Sequence, residues 1–166
     1  MTKQLFWLGN KIDFSTGGNW KGTKMFTKEE IKEWAETLEV SPEEIENKIR
    51  TWDEKQRAVF EYYGRECFLI DDITDLDIDD DEIDINGETI LVLTDSEADK
   101  RVDEYLDNYL DDCCEIPEWI RPYFNEEDWK RDVLRFDGRG SQLASYDGNE
   151  DMEEIEGTDY YIYRVN

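Results

Sequence analysis

The chain has 166 residues, 38% of them hydrophobic, with six Trp, nine Tyr and seven Phe, and its 45 Asp and Glu against 19 Lys and Arg give a formal charge of −26. That many rings can bury enough area for a packed core, so the acidity is not that of a disordered chain. The charge disfavours direct contact with nucleic acid or an anionic membrane and favours a basic protein surface.

The chain contains no histidine. Ser-His and Cys-His nucleophile systems and histidine metal ligation are therefore excluded. Cys67, Cys113 and Cys114 are odd in number and two are adjacent, which implies neither a disulfide framework nor a zinc site. No run approaches the ~18 apolar residues of a membrane span. The first residues lack the charged-then-apolar order of a signal peptide, so a cytoplasmic location is expected.

In chain order, Lys3 to Phe14 reads as strand material, followed by a Gly17-Gly18 turn. Thr27 and Glu30 form a capping box ahead of Ile31, Trp34, Ala35 and Leu38 at helical spacing. Ser41-Pro42-Glu43-Glu44 opens a second helix, with Ile45, Ile49, Trp52, Val59, Phe60 and Tyr63 as its buried stripe and Gly64 as its stop. Residues 68–93 read as β. Within them Glu82 to Ile85 alternates, Asn86-Gly87 is a hairpin signal, and Thr89 to Leu93 is the return strand. Thr94-Asp95-Ser96-Glu97 is another capping box. It opens a helix with Ala98, Val102, Tyr105, Leu106, Tyr109, Leu110 and Cys113 on one side. Pro117 ends that region, and a shorter helix around Glu126 to Phe136 carries Trp129 and Val133. Glycines at 138, 140 and 148 predict a long turn, and Tyr160 to Val165 a final buried strand. The fold class is α+β: an N-terminal helical portion and a small antiparallel sheet with packed helices, under a strongly acidic surface. Residues 1–66 form a mixed-charge, mainly helical region, and 67–166 an acidic α+β region expected to make one compact unit with it.

The charge is uneven. Residues 67–118 hold 20 acidic and 2 basic groups, against 13 and 11 in 1–66. The helix near 95–114 presents Asp95, Glu97, Asp99, Asp103, Glu104, Asp107, Asp111 and Asp112. Over about 30 Å this is one carboxylate per roughly 4 Å, against one phosphate per ~1.7 Å of duplex DNA. Asp77, Asp79, Asp80, Asp81, Glu82 and Asp84, with Asp71, Asp72 and Asp75, supply further acids from a neighbouring segment. The plainer reading is a solvated helix face. Solvated faces usually mix signs, as Lys48, Arg50, Lys55 and Arg57 do among the acids of the N-terminal region.

Other motifs point elsewhere. Asp75-x-Asp77-x-Asp79 resembles the start of a calcium loop, but Asp80 and Asn86 stand where Gly and Glu are needed. Pro117-Glu118 with Asp128-Trp129-Lys130 has the outline of a metal-dependent nuclease signature, which should lie on a strand and here falls on an expected helix. A helix-turn-helix over Thr27 to Ile49 would place Glu43, Glu44 and Glu46 in a DNA groove, so two packed helices are the better reading. Trp119, Tyr123, Phe124, Trp129 and Phe136 read as core rather than as a base-stacking platform. Asp137-Gly138-Arg139-Gly140 reads as a turn rather than an anion cradle.

Three stretches, Leu91 to Asp99, Asp137 to Gly148 and Tyr161 to Asn166, resemble a group of short bacteriophage proteins of unassigned activity. Ile116 to Phe124 with Trp129, Arg131 and Asp132 is similar to a segment of the ArdA antirestriction family, acidic, elongated, dimeric DNA mimics that occupy the DNA-binding cleft of type I restriction enzymes. The resemblances imply a phage protein in the cytoplasm of an infected bacterial host, and the second implies a homodimer. The expected function is anti-defence: an acidic nucleic-acid mimic that blocks a basic restriction or CRISPR nuclease, with no catalytic residues, cofactor or metal. The alternatives are a metal-dependent phosphoryl-transfer enzyme and an acidic accessory protein without mimicry.

Overall fold

The computed structural model describes residues 6–7, 10–11, 26–77 and 82–166. The Gly17-Gly18 turn and Asp79, Asp80 and Asp81 lie outside them. Within the expected first strand, Phe6–Trp7 (β1) pairs antiparallel with Asn10–Lys11 (β2). The chain divides into two units: residues 1–80 with 153–160, and residues 81–152 with 161–166.

In the first unit the Thr27 box opens α1, Lys28–Thr37, and Ser41 caps α2, Pro42–Thr51. The expected long second helix is two helices. Asp53 starts α3, Glu54–Tyr62, because its carboxylate accepts the backbone N–H of Gln56 while the Gln56 side-chain oxygen accepts that of Asp53. This reciprocal cap satisfies a new helix start and ends the old one at Trp52. Phe26, Trp34, Trp52 and Phe60 meet edge-to-face as the aromatic centre of this unit. Residues 67–74 are helical, not β: a 3₁₀ turn at Cys67–Leu69 leads into α4, Ile70–Thr74. Leu69, Ile70 and Ile73 are buried while Asp71 and Asp72 are exposed, which is helical rather than alternating spacing. The tip of the last hairpin joins this unit through an Arg57–Glu156 ion pair and through Tyr160, whose hydroxyl donates to Glu54 at 2.5 Å.

The sheet has four strands, ordered β3-β4-β6-β5: Glu82–Ile85, Glu88–Thr94, Thr158–Arg164 and Asp151–Ile155. Both hairpins close through two-residue turns in the left-handed region, Asn86-Gly87 and Glu156-Gly157, which match the twist of the flanking strands. β5 is missing from the sequence reading because Asp151-Met-Glu-Glu has no apolar alternation. As an edge strand it is buried only at Ile155. Both edges, β3 and β5, carry carboxylates, a composition that discourages further strand pairing.

In the second unit, α5, Asp95–Cys113, starts where β4 ends. Leu91 and Leu93 share a core cluster with Ala98, Val102 and Leu106, so the helix returns along its own strand. Leu143, Ala144 and Tyr163 complete that core, and Trp129, Val133 and Leu134 of α6, Glu126–Asp137, pack against it. The expected glycine turn holds a short helix, α7, Gly140–Leu143.

Candidate interaction surface

The geometry of α5 follows from spacing by four. Ala98, Val102, Leu106 and Leu110 form the buried line. Beside them runs an acid line, Asp95, Asp99, Asp103, Asp107 and Asp111. On the other flank lie Glu97, Arg101, Tyr105, Tyr109 and Cys113. Farthest from the core are Lys100, Glu104, Asn108 and Asp112. Tyr105, Tyr109 and Cys113 are therefore not on the buried face as expected. An i+4 ridge is narrow, and residues one step away in sequence turn through about 100°. Both tyrosines are exposed.

Every member of the acid line is held by a cation. Arg139 reaches Asp95 at 2.8 Å and Asp99 at 2.9 Å, and binds Glu150 at 3.0 Å. The Lys130 ammonium lies 2.6 Å from both Asp103 and Asp107, and Arg121 pairs with Asp111. On the outer line Lys100 sits 3.7 Å from Glu104. The acid line is thus an ionic seam that fastens the segment from Arg121 to Arg139 onto α5. Burial disfavours the charge on Lys130, but hydrogen bonds to its two aspartates outweigh this and raise its pKa above the ordinary value. The Tyr163 hydroxyl donates to Glu150 at 2.7 Å, and burial together with that carboxylate holds its pKa well above the ordinary phenol value.

Among the described residues, Arg139, Lys130, Arg121 and Lys100 hold at least six of the eight α5 carboxylates. Counting Arg101, and also the Glu82 and Glu150 carboxylates that Arg101 and Arg139 hold, leaves about five net charges along a helix about 28 Å long, where duplex DNA carries roughly 17. Taken alone, α5 is not a row of phosphates. Those cation-held carboxylates nevertheless keep more than half their side-chain surface in solvent, from 53% at Asp107 to 67% at Asp95. Glu97 serves the capping box, accepting the Thr94 backbone N–H at 2.7 Å. Asp112 is exposed and has no cation among the described residues.

Of the neighbouring acids, Glu82 and Asp84 stand opposite Leu91 and Thr89, which puts them on the sheet face that α5 covers. Arg101 reaches Glu82 at 3.6 Å, and Asp84 accepts the Thr89 hydroxyl at 2.6 Å. Asp77 is exposed just after α4, in the other unit. In that unit Asp71 holds Lys48 at 2.7 Å.

Trp119, Tyr123 and Phe136, expected in the core, are 74%, 87% and 80% exposed, while Phe124 and Trp129 are half-buried and tilted against each other. The signal that separates them is register. On α6, Trp129 and Val133 repeat by four toward the core, and Phe136 does not fall on that line. Asp128-Trp129-Lys130 lies on this helix rather than on a strand, with Lys130 engaged by α5. Arg139 is occupied by acids, so the Asp137 to Gly140 segment is a docking turn. Among the described residues, no group of three or more Cys, Asp or Glu side chains is arranged to hold a metal ion. None of the described helices is long and apolar enough to cross a membrane. No protein-family model, curated protein or solved structure matches the chain.

Proposed function

We propose that the chain is a non-enzymatic acidic competitor that occupies the basic nucleic-acid channel of a host defence nuclease, of restriction or CRISPR type, in a phage-infected bacterial cytoplasm. The observation that carries this reading is the uncancelled charge. With 45 carboxylates against 19 cations, an excess of 26 remains even if every cation is paired. Folding does not call for that excess, and it attracts a basic partner over the ~8–10 Å reach of unscreened charge. The ion pairs of the acid line fix the positions of carboxylates that stay more than half exposed, which favours a preformed surface over a flexible acidic tail. The resemblance of Leu91 to Asp99, Asp137 to Gly148 and Tyr161 to Asn166 to phage proteins supports the setting, and the ArdA-like segment supports restriction enzymes as one target class and a homodimer as the acting form.

The excess is greatest in residues 67–118 but is not carried by the acid line of α5, whose carboxylates are held by cations, and the test follows from that. Reversing Asp103 or Asp107 would put a new ammonium against Lys130 and break the seam, so loss of binding there would be uninformative. Glu104 and Asp112 lie on the outer line away from the seam, and reversing Glu104 disturbs only its exposed pairing with Lys100. The protein should displace DNA or guide-bound target from at least one restriction or CRISPR nuclease in a gel-shift panel at 50 mM salt. Glu104→Lys with Asp112→Lys should weaken displacement at least about tenfold, through both lost attraction and new repulsion. The reading fails if no nuclease in the panel releases its nucleic acid.

A further inference from the structure

Resting on the acidic-competitor reading, we propose that the exposed Tyr105–Tyr109 pair on α5 is an arginine-binding site, which takes guanidinium groups from the partner's basic surface. Three of the chain's own arginines show the chemistry. Arg139 lies over the Tyr161 ring at 4.5 Å while Asp95, Asp99 and Glu150 take its N–H groups. Arg164 lies over Tyr146 at 4.4 Å with Glu88 at 2.5 Å and Asp147 at 3.7 Å. Arg65 lies over Phe26 at 5.3 Å with Glu30 and Glu61 each at 2.7 Å. In each cradle a ring covers one face of the planar, weakly hydrated guanidinium and carboxylates accept from its edge. Lysine's compact, strongly hydrated ammonium matches this arrangement less well.

The spacing along α5 and β3 places the same components on the Tyr105 flank. The two rings are nearly parallel, 24° apart with centroids 6.4 Å apart, and 41% and 44% exposed. Asp112 is three residues beyond Tyr109, on the adjacent helix line, with no cation among the described residues. Asp84 lies on the sheet face that α5 covers, two strand residues beyond Glu82, where it accepts the Thr89 hydroxyl. Because α5 returns along β4 and β3 is antiparallel to β4, helix and β3 run in the same sense. Arg101 reaches Glu82. One helical turn on, about 6 Å, is Tyr105, and two strand residues on, about 7 Å, is Asp84. Arg101, one turn before Tyr105, is drawn to Glu82, and residues 102–120 contain no Lys or Arg, so this stretch supplies rings and carboxylates and leaves the guanidinium to a partner.

The test compares fluorescein-labelled nona-arginine and nona-lysine peptides by anisotropy against the full chain at 50 mM salt. Nona-arginine should bind about fivefold tighter or better. Y105L/Y109L, which keeps helix propensity and apolar volume but removes the ring faces, should reduce that preference to below about twofold without changing the nona-lysine Kd. Y105F/Y109F should retain the preference. In the unaltered chain, nona-arginine should shift the ring-proton resonances of Tyr105 and Tyr109, a readout independent of any variant's folding. Equal affinities, a preference that survives the leucine variant, or unshifted tyrosine resonances overturn the site and leave the charge-driven reading standing. If neither peptide binds, both are lost.

Discussion

At the scale of single residues, Lys130 shows how acids can serve the fold before they serve a partner. Its side chain is 10% exposed and its ammonium bridges Asp103 and Asp107, one turn apart on α5. Lys130→Met keeps the buried methylenes and removes the charge, leaving two carboxylates repelling each other along the helix. The expected loss in urea denaturation is about 1–2 kcal/mol, because the partners are more than half exposed and solvent screens the pair. The loss should shrink in 0.5 M NaCl. The sign of the pH dependence follows from the raised pKa. The folded protein holds this proton more tightly than the unfolded chain does, so the stabilisation is complete below the ordinary lysine value of 10.5. It is lost as pH rises through the higher folded value, and the alkaline limb should flatten in Lys130→Met. Gly140 offers a test of a different kind. A Cβ there would lie 2.6 Å from the Gly148 carbonyl oxygen and 3.0 Å from the backbone carbon of Asn149, and neither is the end of a flexible side chain. Gly140→Ala should cost more than about 2 kcal/mol by forcing the backbone apart. Ser141→Ala next door should lose about 1 kcal/mol or less, the value of its hydroxyl bond to the Asp137 carbonyl.

At the scale of elements, the break between α2 and α3 depends on two side chains of unequal weight. Asp53 contributes a cap. Gln56 returns that cap and also donates from its amide to the buried Ile73 carbonyl at 2.7 Å. Asp53→Ala should cost about 1 kcal/mol, the usual value of an N-cap. Gln56→Ala should cost roughly 1–3 kcal/mol more, because it strands a buried carbonyl. Equal midpoints for the two variants in urea denaturation would show that the Ile73 contact is dispensable. Elements with a complete local code are legible in the sequence: α1 from Thr27 and Glu30, the β3-β4 hairpin from Asn86-Gly87, and α5 from Thr94 and Glu97. The α2–α3 break is less legible although Asp53-x-x-Gln56 is a complete cap, because Ile45, Ile49, Trp52, Val59 and Phe60 keep an apolar stripe running across it as if one helix continued. Phe68-Leu69-Ile70 is a short apolar run that strand and helix share, and only burial at Ile73 decides for the helix. The acids of α5 were legible as a list. Their pairing was not, because Arg121, Lys130 and Arg139 come from 10 to 44 residues away and nothing local encodes those encounters.

At the scale of the whole molecule, two electrostatic effects of opposite sign meet, and salt separates them. The ion pairs of the seam are partly exposed and each contributes modestly, so screening them removes little. The net charge of −26 acts over the entire surface and opposes compaction, so screening it helps folding. The free protein should therefore gain thermal stability between 10 and 300 mM NaCl, by several degrees in Tm. Association with a basic partner depends on the same charge with the other sign. It should weaken steeply over that range, mainly through slower association. One titration series read by calorimetry and by binding kinetics checks both. A Tm that falls as salt rises would mean that the Arg139, Lys130 and Arg121 contacts outweigh the global repulsion. The acidity would then be chiefly a structural device of the second unit, and the excess carboxylates would no longer call for a partner.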